Sequence, residues 1–139
     1  MKFGEKVREL RKKAGMTQEE LAKKAGIGLR TLKAYENGER YPKKREVYDI
    51  LADILGVKKS YLLAEDEEFI ATATERYGAS GQKDALDVLR QAAAVFAGGE
   101  VSEEDKLAFM HEIQALYLES KEIAKEKFTP RKYKASKES

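Results

Sequence analysis

The chain has 139 residues and no cysteine, which excludes disulfide frameworks and thiolate metal sites. Its single histidine, His111, excludes multi-histidine metal sites, and the residues after His111-Glu112 do not complete an H-E-x-x-H zinc signature. The formal net charge of +2 is unevenly distributed: residues 1–63 carry 16 basic and 9 acidic side chains, residues 64–122 carry 5 and 14, and residues 123–139 carry 6 and 2. A basic N-terminal part suits a polyanionic partner.

The sequence also lacks the features of membrane proteins and of common enzymes. It contains no run of about 18 apolar residues and no apolar core of a signal peptide, so we expect a soluble, cytoplasmic protein without a membrane partner. No serine–histidine–aspartate set, glycine-rich phosphate loop or cysteine nucleophile is apparent. We therefore expect no enzyme activity, no catalytic residues, no metal and no cofactor.

Five helices are predicted in the N-terminal part, because apolar residues recur there at spacings of three and four. Glycines mark helix ends, and Thr17 with Glu20 forms a capping box, in which each side chain satisfies a free backbone N–H. Pro42 is expected to open the fourth helix. The predicted helices cover about residues 2–13, 17–25, 29–37, 42–55 and 58–63.

The C-terminal part also has a helical pattern, with turns at its glycine pairs. The acidic run Glu65–Glu68 is the predicted join, and the segment Gly78–Gly81 and the pair Gly98-Gly99 are the predicted breaks. Ser102 with Asp105 resembles a second capping box, which opens a long helix to about Lys127. The predicted domains are a five-helix N-terminal domain at 1–64, a helical oligomerisation or partner region at 65–128 and a basic flexible tail at 129–139.

The functional motif is the segment 17–40, TQEELAKKAGIGLRTLKAYENGER. Ala22 is small where two helices must touch, and Gly26 allows the positive φ of a tight turn. Ile27, Leu32 and Tyr35 are predicted to face the core and so to fix how the third helix projects. This pattern indicates a helix-turn-helix.

The segment from about Gly4 to Leu63 resembles the Cro/CI-like, or Xre, family of helix-turn-helix regulators. The resemblance includes R-x-x-R-K-x-x-G-M-T-Q at Arg8–Gln18 and E-N-G at Glu36–Gly38. It implies an all-α fold, a lambda-repressor-like five-helix DNA-binding domain followed by a small α-helical C-terminal region. It also implies a sequence-specific transcriptional regulator whose partner is double-stranded DNA, a repressor, with an activator as the alternative. Glu36 matches a structural acid of the family.

The resemblance also implies which residues contact DNA. The third helix would lie in the major groove, where the planar guanidinium of Arg30 matches guanine. The alternative for Arg30 and Lys33 is a solvated charge on an exposed helix face, and Asn37 caps its helix in an alternative interpretation. The candidate base contacts are Gly28, Leu29, Arg30, Thr31, Lys33 and Ala34, and the candidate backbone contacts are Thr17, Gln18, Asn37, Arg40, Lys43 and Lys44.

A two-fold homodimer would place two such helices about 34 Å apart on a near-palindromic operator. We expect the C-terminal helices to form it, although they could instead pack within one chain. The candidate dimerisation residues are Leu86, Leu89, Phe96, Met110, Ile113 and Tyr117. The segment Phe96–Lys106, FAGGEVSEEDK, resembles C-terminal extensions of regulators on Gram-positive mobile elements. It implies a regulatory protein partner such as a protease. A second hypothesis, of a different class, is an antitoxin or protein-sequestering module whose DNA binding is secondary and whose acidic C-terminal region binds a basic partner such as a toxin.

Overall fold

The computed structural model describes residues 2–128, and the predicted basic tail at 129–139 lies outside the described residues. The described residues form helices and turns only, which confirms the predicted all-α class. The chain divides into two compact units, the first ending at Leu86 and the second beginning at Asp87. The helices are α1 (Phe3–Lys13), α2 (Gln18–Ala25), α3 (Leu29–Glu36), α4 (Arg45–Leu55), α5 (Lys59–Leu62), α6 (Glu65–Val95) and α7 (Glu103–Phe128), with a short 3₁₀ helix at Phe96–Gly98.

The core of the first unit is built around Phe3, which is fully buried. The ring of Phe3 lies 5.0 Å from the ring of Tyr48 and 5.9 Å from the rings of Tyr35 and Tyr41, measured between centroids. Each fully buried large apolar side chain contributes about 1.5–3 kcal/mol to folding, so α1 to α5 are held mainly by this core. The other buried members are Val7, Leu21, Ala22, Ala25, Leu32, Leu51, Ala52, Leu55 and Leu62.

The start of α4 differs from the prediction that Pro42 opens this helix. The helix begins at Arg45, and Lys44 before it is in an extended conformation. Pro42 is instead fully buried, and the ring of Tyr41 packs against Phe3. The residues before Arg45 therefore lie outside the helix, with Pro42 buried and Tyr41 half-buried while Lys43 and Lys44 stay exposed.

Helix α6 is interrupted at a single residue, Gly78, whose φ of 68° and ψ of −150° are not helical. Beyond this break the chain packs back so closely that a Cβ on Gly81 would lie 2.2 Å from the carbonyl oxygen of Ala73. The predicted turn over Gly78–Gly81 is therefore confined to its first residue. The acidic run Glu65–Glu68, the predicted join, forms the first turn of α6, where negative charge favours a helix N-terminus.

Two polar side chains are buried beside the core of the first unit. The hydroxyl of Tyr48 has no hydrogen-bond partner among the described residues, and burial, followed by the negative charge of Glu67, raises the pKa of Tyr48. Burial also raises the pKa of the Glu67 carboxyl, which a backbone hydrogen bond and the charge of Lys6 oppose only in part. The protein is therefore less stable than it would be with apolar side chains of the same volume at these two positions.

The second unit contains the end of α6, the 3₁₀ helix and α7. Gly99, with a φ of 73°, ends the 3₁₀ helix at the predicted glycine pair. The hydroxyl oxygen of Ser102 then accepts a hydrogen bond of 3.2 Å from the backbone N–H of Asp105, which is the first half of the predicted capping box. Across this turn the rings of Phe96 and Phe109 meet edge to face at 5.3 Å.

Candidate nucleic-acid interface

Helices α2 and α3 form the predicted helix-turn-helix. Thr17 caps α2 through the capping box with Glu20. At the other end of α2, Gly26 takes a φ of 69°, which a residue with a side chain rarely adopts. Ala22 and Ala25 are buried, as expected of small residues where two helices approach closely. The sequence therefore sets both ends of α2 and the turn that aims α3.

Helix α3 has one buried face and one exposed face. Leu32, Tyr35 and Glu36 are buried, and half-buried Ile27 packs against the same core. Of the candidate base contacts, Gly28, Arg30 and Lys33 are exposed, and Leu29 and Thr31 are half-buried. The structure thus leaves Arg30 and Lys33 exposed on the same side of the helix, and Thr31 half-buried at its first turn.

Ala34 is the candidate base contact that the structure places differently. Its side chain lies on the buried side of α3, and the residue is 7% exposed. Its carbonyl oxygen also accepts hydrogen bonds from the backbone N–H groups of Glu39, at 3.0 Å, and Arg40, at 3.3 Å. Because the methyl group is covered by the fold, we leave Ala34 out of the proposed interface.

The carboxylate of Glu36 joins three helices at the end of α3. Arg11 on α1 donates to its two oxygens from Nε at 2.8 Å and from Nη2 at 3.0 Å. Gln18 on α2 donates from Nε2 to Oε1 at 3.2 Å, and Arg8 donates from Nη2 to the backbone carbonyl at 3.3 Å. The buried Glu36 is therefore the structural acid that the family resemblance implies, and Gln18 braces α3 through it.

A glycine in α1, whose role was not predicted from the sequence, allows this close approach. A Cβ on Gly4 would lie 2.2 Å from the carbonyl oxygen of Tyr35 and 2.9 Å from that of Glu36. Backbone at this distance cannot give way as a flexible side chain would. Gly4 therefore lets α1 lie directly against the end of α3; the sequence signal available was a glycine inside an otherwise regular apolar stripe.

The start of α2 is only partly available to an anion. The N–H of Glu20 donates to the hydroxyl of Thr17 at 3.1 Å, and the N–H of Thr17 donates to the carboxylate of Glu20 at 3.4 Å. The side-chain amide of Gln18 is engaged with Glu36. The backbone N–H groups of Gln18 and Glu19 remain as donors at this helix end.

The segment between α3 and α4 carries the other candidate backbone contacts. Asn37, Arg40, Lys43 and Lys44 are all exposed. The side-chain oxygen of Asn37 accepts a hydrogen bond of 3.0 Å from the backbone N–H of Glu39. Asn37 thus stabilises the local turn after α3, and its amide nitrogen makes no hydrogen bond within the described part of the chain.

Two side chains tie this segment to α6. Arg45 donates hydrogen bonds to Glu68 and Glu75, and from Nη2 to the hydroxyl of Thr72 at 2.9 Å. Burial lowers the pKa of Arg45, but the two carboxylates outweigh burial and raise it overall. Gln82 donates from Nε2 to the backbone carbonyl of Tyr41 at 3.3 Å. None of these contacts was predicted from the sequence, in which Glu68 was assigned only to the acidic join.

The six candidate dimerisation residues are all half-buried within the single chain. Other large apolar side chains of α7 are exposed, namely Leu107, Phe109, Leu116 and Ile123. Phe109, Leu116 and Ile123 follow one another at intervals of seven positions, so they lie along one face of the helix. This exposed face, which we call the α7 stripe, was not singled out in the sequence.

The arrangement defines a class of protein. A helix held by its buried face against two others, with cationic and polar side chains at its free N-terminal part, is suited to enter the major groove of DNA. Exposed lysine and arginine side chains on the adjoining segment suit the phosphate backbone. The chain is a DNA-binding protein of the helix-turn-helix class.

Comparison with known proteins agrees with this class. The helix-turn-helix family profile matches residues 7–62. The HTH-type transcriptional regulator ImmR of Bacillus subtilis (strain 168) is 32% identical over 112 residues, covering 81% of this chain and 77% of the relative. The immunity repressor protein of Bacillus phage phi105 is 26% identical over 142 residues, covering 96% of each chain. The cryptic phage CTXphi transcriptional repressor RstR of Vibrio cholerae is 38% identical over 65 residues, covering 47% of this chain and 58% of the relative. No solved structure gives a significant match.

The chain belongs to the Xre-type helix-turn-helix family of transcriptional regulators. This confirms the family that the sequence resembles, and the alignments to the two Bacillus proteins extend well past the helix-turn-helix into the C-terminal region. The three relatives are named as a transcriptional regulator, an immunity repressor and a transcriptional repressor, and none of them as an enzyme. Among residues 2–128, no helix is long and apolar enough to cross a membrane.

Proposed function

We propose that this regulator is a repressor that occupies a near-palindromic operator as a homodimer. The observation that carries the DNA-binding part is the exposed face of α3, which presents Arg30 and Lys33 to solvent. The opposite face is buried and holds the helix in place through Leu32, Tyr35 and Glu36. Arg30 makes the base contact, because its planar guanidinium can form a bidentate pair with guanine. Such a pair discriminates against the wrong base by about 1–3 kcal/mol. Arg40, Lys43 and Lys44 contact phosphates and set the position of α3.

The test is selection of bound sequences from randomised duplex DNA, followed by affinity measurements on the enriched site at several salt concentrations. We expect a near-palindrome and a log–log salt slope of about −0.9 per neutralised phosphate. Arg30→Ala should weaken binding to that site by about 5- to 150-fold and relax the base preference at one position. Arg90→Ala is the matched control, because Arg90 is an exposed arginine of the second unit that pairs with nearby Asp87. Weak and equal binding of all sequences would contradict specific recognition.

The homodimer is supported by the α7 stripe of Phe109, Leu116 and Ile123. Exposed apolar residues aligned along a helix favour contact with another surface, because burying them removes apolar area from water. The six residues named from the sequence are each half-buried in the single chain, and their part in the dimer contact stays a prediction.

Leu116→Asp, compared with Leu107→Asp, tests the dimer. Both leucines are on α7 and equally exposed, at 59% and 61%. Leu107 lies off the stripe, since two residues turn a helix by about 200°. We expect sedimentation velocity to show a dimer for the parent and for Leu107→Asp, and a monomer for Leu116→Asp. A monomeric parent, or equal effects of the two changes, would refute dimerisation through this face.

The hypothesis of a protein partner, a protease or a toxin that binds the acidic C-terminal region, stays a prediction. Recovery of a stoichiometric protein with the chain from its native host would support it. Repression that is unchanged when neighbouring genes are deleted would count against it.

A further inference from the structure

The segment 40–44 connects α3 to α4 and has no regular secondary structure of its own. It carries the exposed cations Arg40, Lys43 and Lys44 on only five residues. A flexible connection would have to be ordered each time it met a phosphate backbone, at a cost in conformational entropy. What holds this segment in place therefore affects how well its cations can bind.

The segment is anchored from both ends, and one partner at each end comes from α6. Near its start, Gln82 binds the backbone carbonyl of Tyr41 at 3.3 Å and the hydroxyl of Thr74 at the same distance. At its end, Arg45 binds Glu68, Thr72 and Glu75. Gln82 lies after the break at Gly78, and the three partners of Arg45 lie before it. Both arms of α6 thus hold the same short segment.

The partners of Arg45 are arranged for this contact. Glu68, Thr72 and Glu75 are spaced at i, i+4 and i+7, so they project from one face of α6. Arg45 differs from Lys43 and Lys44 in being half-buried, although the three are consecutive in the sequence. The two lysines remain exposed while the arginine is committed to carboxylates within the chain.

We propose that Arg45 and Gln82 are positioning residues for DNA binding, through which α6 holds Lys43 and Lys44 where they meet the phosphate backbone. The proposal rests on the proposed DNA-binding function. It assigns to the first part of the C-terminal region a direct effect on DNA affinity, which is separate from dimerisation. Anything that loosens α6 would weaken DNA binding without touching a residue that faces DNA.

The decisive variant is Glu68→Gln combined with Glu75→Gln. Removing two negative charges makes the protein more cationic, so electrostatics alone would strengthen DNA binding. Our proposal requires the opposite sign: binding about tenfold weaker or more, and a log–log salt slope reduced in magnitude by about 1–2, as one or two phosphate contacts are lost. Glu104→Gln with Glu119→Gln is the matched control, since both carboxylates are exposed in the second unit and the charge change is the same.

Gln82→Ala provides a variant without any change of charge, and it should weaken binding and lower the salt slope in the same direction. A merely destabilised protein would lose active fraction but keep its salt slope, because each folded molecule would still neutralise the same phosphates. Sedimentation of each variant separates the effect from loss of the dimer. Unchanged or tighter binding by the double glutamine variant, or an unchanged slope in Gln82→Ala, would overturn the proposal. Failure of the proposed function would appear differently, as absence of any operator for the parent protein.

Discussion

Replacing Glu36 by alanine removes the acceptor at which α1, α2 and α3 meet. The side chain of Glu36 is completely buried, and that of its main partner Arg11 is 11% exposed. Removal of Glu36 therefore leaves a guanidinium inside the protein without its carboxylate. Gln18 also loses its acceptor on this side chain. The loss of stability caused by this change therefore measures the cost of an unpaired buried cation, which is larger than the cost of a lost surface contact.

The expected loss of stability is large relative to the total. Breaking a buried ion pair by removing one partner typically costs about 3–5 kcal/mol, against a total stability of about 5–15 kcal/mol for a domain. For a unit of this size each kcal/mol lowers the Tm by about 4–8 °C, so we expect a decrease of about 12–40 °C. The carbonyl oxygen of Met16 still accepts from Nη1 of Arg11, at 2.9 Å, which favours the lower part of this range.

Amide hydrogen exchange is the appropriate assay, because it reports the stability of α1 and α3 separately from that of the second unit. Asp49→Ala is the control: it removes an acid from an exposed ion pair with Lys59, 3.2 Å long, for which we expect a loss of at most about 1 kcal/mol. The double change Arg11→Met with Glu36→Leu should recover much of the stability lost by Glu36→Ala. If Glu36→Ala costs no more than Asp49→Ala, the buried network does not fix α3 and our reasoning about it is wrong.

Three further changes test the buried polar groups and the break in α6. The raised pKa of Glu67 means that ionisation of its carboxyl opposes folding. This penalty is absent at a pH below the ordinary carboxyl pKa and complete at a pH above the raised pKa. Glu67→Gln should therefore raise the Tm near neutral pH, and the gain should vanish as the pH falls below about 4. A gain independent of pH would contradict this origin. Tyr48→Phe removes a buried hydroxyl without a described partner and should stabilise the protein by about 1 kcal/mol in urea unfolding, whereas destabilisation would reveal a partner. Gly81→Ala forces a Cβ against the carbonyl oxygen of Ala73 and should cost about 1–3 kcal/mol by the same measurement, while exposed Ser80→Ala should be nearly neutral; equal effects would refute the close approach.

The local signals in the sequence predict much of the first unit. Thr17 with Glu20 and the glycines at positions 26 and 56 mark helix ends correctly, because capping and positive φ depend on residues close together in the chain. The core face of α3 is likewise predicted by the spacing of Leu32 and Tyr35. These features need no knowledge of what lies across the fold.

Features that depend on distant residues could not be predicted in this way. Pro42 resembles a helix start, yet tertiary packing buries it three residues before α4 begins. Ala34 resembles a contact residue by position, yet the fold covers its methyl group. The tie between Arg45 and α6 joins residues 23 and 30 positions apart, for which a single sequence gives no spacing rule.

Arg30 and Lys33 also have a consequence for how this family can diversify. Both project from a helix whose position is determined by other residues, and exposed positions of this kind usually tolerate exchange within about 0.5 kcal/mol. Mutation can therefore rewrite the chemistry of that helix face while the scaffold stays intact. A lineage of such proteins is free to drift to new target sequences one side chain at a time, with folding placing little constraint on the route.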